Sequence, residues 1–229
     1  MNYIAVIPAR AGSKRLVGKN IKPLGGLPLI GWSIKSAIES NIFKDIIVST
    51  DSVEIEDISI KYGAISLGLR SKELSTDDAS SIDVVIDVID KYKQKNGRID
   101  GVMLLQPTSP FRTVDSIRKA VHEFEKWDLK KSIISFRVAK SHPQWCFKQV
   151  KDRFIPFIEG DYINTRSQDL TAAYVVDGQI YLISPELLKK QKSFWSEDVV
   201  PLLLDDTSND VDIDDINDFR YAEYVLQNR

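Results

Sequence analysis

One cysteine, Cys146, and two histidines, His122 and His142, are all that the 229-residue chain offers for disulfides, zinc sites or histidine-based triads. A lone cysteine excludes an internal disulfide and fits a reducing compartment. His122 falls in a helical pattern and His142 precedes Pro143. Neither has the neighbours of a metal or nucleophile site. Cys146, between Trp145 and Phe147, is expected to be buried and inert. No apolar run approaches the ~20 residues that span a bilayer. The start, "MNYIAVIPAR", has no basic leader or cleavage site, so a cytoplasmic location is expected. Excess charge of one sign is also missing. The 31 basic and 33 acidic residues leave a net charge of −2, which gives no global attraction to nucleic acid or to a membrane. An anion site would have to come from local clustering.

What is present is the pattern of an α/β protein. The length suits a single domain over residues 1–229. Short β-rich runs, "YIAVI" (3–7), "DIIVST" (45–50), "GVMLLQ" (101–106), "SIISFRVA" (132–139) and "GQIYLIS" (178–184), alternate with stretches at helical spacing. The latter are "LPLIGWSIKSAIES" (27–40), "SVEIEDISIKYG" (52–63), "SIDVVIDVIDKY" (81–92), "VDSIRKAVHEFEKW" (114–127) and "DINDFRYAEYVLQ" (215–227). In the third, Ile82, Val85, Ile86, Ile89 and Tyr92 share one face. In the fourth, Val114, Ile117, Val121 and Phe124 do. Such alternation predicts a three-layer fold, a mostly parallel sheet covered by helices on both faces. The rhythm breaks over about 140–178, an aromatic excursion from the sheet.

Directly after the first strand comes "IPARAGSKRLVGKN" (7–20), which brings Arg10, Lys14, Arg15 and Lys19 together, with Lys22 just beyond. Open α/β sheets bind ligands outside the carboxyl ends of their strands. Gly12 and Ser13 let backbone N–H groups approach an anion. Cations this dense repel one another unless something negative sits among them, and a triphosphate is the natural candidate. The loop is not a Walker motif: five residues rather than four separate Gly12 from Gly18-Lys19, and Asn20 stands where Ser or Thr would hold magnesium. Nor does a G-x-G-x-x-G fingerprint follow the strand.

This segment resembles the signature of the cytidylyltransferases that activate nonulosonic acids, namely the CMP-sialic acid synthetases and their legionaminic and pseudaminic relatives. The resemblance runs through essentially the whole chain. It implies that Arg10, Lys14 and Lys19 hold the phosphates, with Ala9 beside them and Ser13 and Asn20 bonding the phosphates or the ribose. "LRSKELSTDDASSIDVV" (69–85) is similar to the cytosine- and ribose-binding loop, which implies nucleotide roles for Arg70, Ala79, Ser80 and Ser81. Physically, Ser80 or Ser81 could instead cap a helix, with Asp77 and Asp78 at its positive end. "LLQPTSPFR" (104–112) looks like the sugar-facing loop, with Gln106, Thr108 and Ser109 presenting hydrogen-bonding groups. By its residues alone it is a stiff turn before a helix starting at Thr113.

"NTRSQDLTAAYVVDGQIY" (164–181) is similar to the family's "RRQDLP…Y…NG.IY" stretch through Arg166, Gln168, Asp169, Leu170, Tyr174, Gly178 and Tyr181. The resemblance directs Arg166, Gln168 and Tyr181 to the sugar. Ser167, Thr171 and Asp177 depart from it, as does Trp145, which stands where sialic acid-specific members often have Lys. Losing a bidentate Arg at 167 and a Lys at 145 points away from plain N-acetylneuraminate. In "NDVDIDDINDF" (209–219), Asp212 and Asp214 alternate, so an extended chain aims both carboxylates one way. The resemblance implies that they bind Mg²⁺. Asp215 or Asp218 could cap the final helix, and Asp51 ends a strand from which it could orient the basic loop.

The implied reaction joins CTP and a nonulosonic acid into a CMP-sugar and pyrophosphate. The sugar's own hydroxyl is the nucleophile, consistent with the lack of a Ser-His or Cys-His set. Two alternatives are 3-deoxy-manno-octulosonate as the acceptor and a noncatalytic nucleotide-binding regulator on the same fold. The resemblance also implies a homodimer paired through the excursion, each copy completing its neighbour's sugar site. The exposed Trp145, Phe147, Phe154, Phe157 and Tyr162 would be a liability in a monomer.

Overall fold

A computed structural model describes residues 1–160, 162–204 and 211–228. Strand β1 (Tyr3–Pro8) is central because Tyr3 to Ile7 are all buried, a run apolar on both faces. A two-stranded ribbon, β2 (Pro23–Leu24) and β3 (Leu27–Pro28), follows the basic loop. The succession continues with α1 (Leu29–Ser40), β4 (Phe43–Ser49), α2 (Val53–Lys61), β5 (Ile65–Ser66), α3 (Ser81–Asn96), β6 (Gly101–Leu104), α4 (Val114–Lys126) and β7 (Ile133–Val138). A hairpin of β8 (Phe147–Val150) and β9 (Arg153–Pro156) comes next. The chain then adds β10 (Tyr174–Ile183), α5 (Pro185–Gln191), β11 (Val200–Leu203) and α6 (Ile216–Gln227).

Seven strands form one sheet in the order β11–β7–β10–β6–β1–β4–β5. Four neighbouring pairs are parallel, and β10 alone runs antiparallel to both its neighbours. Side chains of β1 alternate between two cores. Tyr3, Ala5 and Ile7 pack with Ile30 and Ile34 of α1 and with Ile117 and Phe124 of α4. Ile4 and Val6 pack with Val85, Ile89 and Tyr92 of α3 and with Leu188 of α5. The sheet is therefore covered on both faces, as the alternation predicts. The buried stripe of α3 is Val84, Val85, Val88, Ile89 and Tyr92, so the expected Ile82 and Ile86 lie at its margin.

A third cluster positions the site. Leu16 of the basic loop, Phe111 beyond β6, Val211 and Ile213 of the acidic segment and Phe219 of α6 are buried against Leu24 and Leu29. Burying an aliphatic or aromatic side chain is worth about 1.5–3 kcal/mol, against about 0–1 kcal/mol for an exposed ion pair. The apolar seam, more than the charges, brings the basic loop and the acidic segment together.

The excursion differs from its expected form in two respects. Strand β10 begins at Tyr174, so regular structure resumes before residue 178. Cys146 is exposed, not buried. Its aromatic neighbours read as core in the sequence, but both hairpin strands are exposed along their length, and a lone hairpin has no second layer to pack on. Phe154 is 71% and Phe157 65% exposed. Among the described residues no helix is long and apolar enough to cross a membrane.

Candidate active site

The carboxyl ends of β1 and β6 open on one cleft of about 470 Å³. Arg10, Ser13, Lys14, Lys19, Asn20, Arg70, Ala79, Ser81, Gln106, Thr108 and Asp214 line it, so most of the predicted site converges there. Thr76 and Asp77 close it from the segment before α3.

The basic loop is held by its backbone. Asp51, at the end of β4, accepts the Ala11 N–H at 2.8 Å, and Asn20 Nδ2 donates to the Arg10 carbonyl at 3.0 Å. Gly18 takes a left-handed φ of 66° at the turn into Lys19. Asp51 thus orients the loop. The Asn20 amide is buried and committed to Arg10, a support for the loop before it is a ligand for anything else.

The cations are already balanced within the chain. Asp77 accepts from Arg10 Nη1 at 2.6 Å and also pairs with Lys14. Asp214 pairs with Arg15 at 3.0 Å and Lys19 at 3.4 Å. The sequence reading expected a guest to supply that negative charge. Two carboxylates supply it in the free chain, one 67 and the other 199 residues from its arginine partner. Asp77 therefore serves the loop, not the helix end to which it was first referred. Bonds from Lys14 and then Arg10 hold its carboxyl below the usual range. Lys22 leaves the group altogether, its ammonium 5.1 Å from the centre of the Phe219 ring.

Arg70 is buried against the end of β4. Its guanidinium donates to the Ser49 hydroxyl at 3.1 Å and to the Ser49 carbonyl, and burial lowers its pKa. Ser80 caps α3, accepting from the N–H groups of Ile82 and Asp83 at 3.1 and 3.2 Å. Its neighbour Ser81, not Ser80, lines the cleft. Ala9 is buried beneath the loop.

The acidic segment is stitched across the cleft floor. Ile213 N–H donates to the Thr108 carbonyl at 2.8 Å, and Lys19 Nζ donates to the Ile213 carbonyl at 2.9 Å. Asp212 as a residue is exposed, but the Thr108 hydroxyl bonds its carboxyl group. Partial burial, with the like charges of Asp214 and Asp218, pushes its pKa up. Asp215 and Asp218 form a capping box on α6. No group of three or more metal-ligating side chains occurs among the described residues. Asp212 and Asp214, two residues apart, still offer the hard carboxylate oxygens that suit a hard cation.

The predicted sugar side is only partly assembled. Gln106 and Thr108 line the cleft. Ser109 is buried, its hydroxyl without a hydrogen-bond partner. Burial, Asp177 and Asp212 raise the pKa of Tyr181, which stays a neutral phenol. Arg166 and Gln168 are exposed on the excursion and do not line the cleft. Sequence reasoning passed over Arg112 and Gln179 and noted Asp177 only as a departure from the family stretch; all three are buried and charged or polar. The only local signal was an arginine closing an apolar turn, "PFR".

A Rossmann-like sheet that gathers a basic loop and Asp214 outside the carboxyl ends of its strands is a nucleotide-binding arrangement. A family model described as cytidylyltransferase matches residues 4–181, and the chain belongs to that family. It is 40% identical to the CMP-N,N'-diacetyllegionaminic acid synthase of Legionella pneumophila, over 99% of this chain and 97% of that protein. It is 34% identical to the pseudaminic acid cytidylyltransferase of Campylobacter jejuni, again over 99% and 97%. With the N-acylneuraminate cytidylyltransferase of Escherichia coli O18:K1:H7 it shares 32% identity over 99% of this chain but 52% of that longer protein. A solved CMP:2-keto-3-deoxy-manno-octonic acid synthetase complexed with CTP has the same fold, with a TM-score of 0.75 at 16% identity, covering 100% of this chain and 99% of that one.

Proposed function

We propose that this protein is a cytidylyltransferase that activates a nonulosonic acid with CTP, giving the CMP-sugar and pyrophosphate. The observation that carries the reading is the convergence of the basic loop, Asp214 of the acidic segment and the Gln106–Thr108 turn on one cleft, with Asp212 beside it outside the lining. Whole-length identity to a legionaminic acid synthase supports it. The octonic acid alternative rests on fold alone, at 16% identity. Three relatives are named for legionaminic, pseudaminic and N-acylneuraminic acids, and these are the acceptors to try.

In this reading Arg10, Lys14 and Lys19 bind the triphosphate, exchanging Asp77 and Asp214 for phosphate oxygens. Ser13 and the loop N–H groups complete the cradle. Arg70, Ala79 and Ser81 form the wall for base and ribose, with Ser80 holding the start of α3 beside them. The sugar's anomeric hydroxyl attacks the α-phosphorus, and the bond to the β-phosphate oxygen breaks, releasing pyrophosphate. Positioning and charge neutralisation then account for catalysis. Asp212 and Asp214 would hold Mg²⁺, which when bound would neutralise charge on the departing phosphates. Neutral Tyr181, with Gln106, Thr108 and Ser109, would donate hydrogen bonds to the acceptor.

The exposed excursion suits pairing with a second copy, whose Arg166 and Gln168 would complete the acceptor side. An unpaired, exposed Cys146 is compatible with work in the cytoplasm. The decisive test is pyrophosphate release from CTP with each of the three sugar acids, compared by kcat/KM. Tight CTP binding with no release from any of them would make the protein a nucleotide-binding regulator.

A further inference from the structure

Arg112 is a buried cation that the nucleotide reading does not use. It is 4% exposed at the end of the turn that follows β6, and among the described residues no carboxylate pairs with it directly. Its Nε donates to the Gln179 carbonyl at 2.6 Å, its Nη2 to the Gln106 carbonyl at 2.9 Å and its Nη1 to the Ser33 hydroxyl at 3.1 Å. Burial pushes its pKa down to about 9, with Asp177 pushing the other way, so the guanidinium is charged at neutral pH.

The compensating charge arrives through one residue. Asp177, 6% exposed, accepts from Gln179 N–H at 3.0 Å, from Gln179 Nε2 at 3.1 Å and from the Ser135 hydroxyl. Gln179 therefore stands between a buried cation and a buried anion. It lies where β10 slips register, between Val176 opposite Phe136 and Tyr181 opposite Ile134. Gly178, in the same stretch, has a φ of +79°, and a Cβ there would come within 3.1 Å of Gln106 Oε1. The slipped stretch thus closes directly on the side chain that lines the cleft.

We infer that Arg112 is a positioning residue for the acceptor side of the site. It ties the Gln106 turn to the slipped stretch of β10, with Asp177 balancing it through Gln179. This sets Gln106 against Gly178 with Tyr181 close by in the chain. The inference rests on the proposed reaction. Ordinary core arginines also stabilise folds, so the discriminating readout is which substrate suffers.

Steady-state kinetics on Arg112→Met should show the acceptor KM raised about 10- to 100-fold with the CTP KM changed by no more than about twofold, because a small misplacement of a substrate-facing group is costly. Arg112→Lys, keeping the charge but not the three-way fork, should recover part of the loss. Asp177→Asn should show the same selectivity with a smaller shift. If Arg112→Met lowers only the melting temperature, or raises both KM values equally, the positioning role is wrong. Should Arg112→Met not fold, Gly178→Ala, strained at a φ of +79°, pushes on Gln106 from the residue next to Gln179, the acceptor of the Arg112 Nε bond. It should reproduce the selective rise in acceptor KM, and an unchanged acceptor KM there overturns the inference. Wild-type enzyme that binds CTP but turns over no sugar acid sinks the reaction and this role together. Wild-type turnover with unaffected variants sinks this role alone.

Discussion

On the phosphate side of the cleft, each of the four loop cations already has a carboxylate partner inside the chain, whereas on the acceptor side Arg166 and Gln168 stand exposed, away from the lining. One side is assembled by a buried apolar seam running through Leu16, Ile213 and Phe219. On the other, Arg166 and Gln168 sit in an exposed turn of the excursion, beyond a hairpin whose strands are exposed along their length. The basic loop is thus assembled within a single copy, whereas completion of the acceptor side by a second copy is the proposal that the tests below address. Segments distant in sequence become a site where a core binds them, and where no core exists another chain has to supply one.

The largest expected effect strikes both sides at once. Asp212→Ala should cut pyrophosphate release by about 100- to 1000-fold, the scale of a lost transition-state charge stabiliser. Near-normal turnover at saturating Mg²⁺ would remove the metal assignment. Arg10→Ala tests the phosphate side alone. Losing a charged donor should weaken CTP binding by about 10- to 100-fold in calorimetry, with the acceptor KM little changed.

Phe154→Asp tests the opposite side. It should raise the acceptor KM about tenfold without disturbing CTP binding and leave 26.0 kDa particles in light scattering. Wild-type particles of that mass at micromolar concentration would end the dimer proposal.

Asp77→Asn asks whether the internal carboxylate competes with the nucleotide. Removing the competitor should lower the CTP KM by about two- to fivefold, the modest scale of exposed pairs, while a rise would mean that Asp77 orders the loop for its ligand. The same pairing carries a pH signature. With its folded pKa depressed, Asp77 contributes whatever stability it has above the ordinary aspartate pKa and loses it as the pH falls through the lower folded value. Smallest of all, Ser80→Ala removes a helix cap worth about 1 kcal/mol, a melting shift of about 2–4 °C. The shift should come with no change in either KM if Ser80 serves only the helix.

Local chemistry was legible. The cap at Ser80, the helix start at Thr113 and the capping box of Asp215 and Asp218 each depend on residues within one turn. The basic loop was readable from density of charge directly after an apolar strand. Asp77 was not readable as its counter-charge, because its carboxylate is equally good as a helix-end partner, and only the closure of residues 76–77 over the cleft chooses between them. Cys146 misled because aromatic neighbours signal a core only when a second layer covers them.

From the sequence by itself come the alternation of strands and helices, the family and the basic character of the first loop, since periodicity and short motifs are set by neighbours along the chain. Tertiary structure alone decided that β10 enters antiparallel and slips its register, that Arg112 and Asp177 meet through Gln179, and that Arg166 stays outside the cleft. These are pairings across the sheet, and their energies depend on which surfaces remain to be buried once the core has closed.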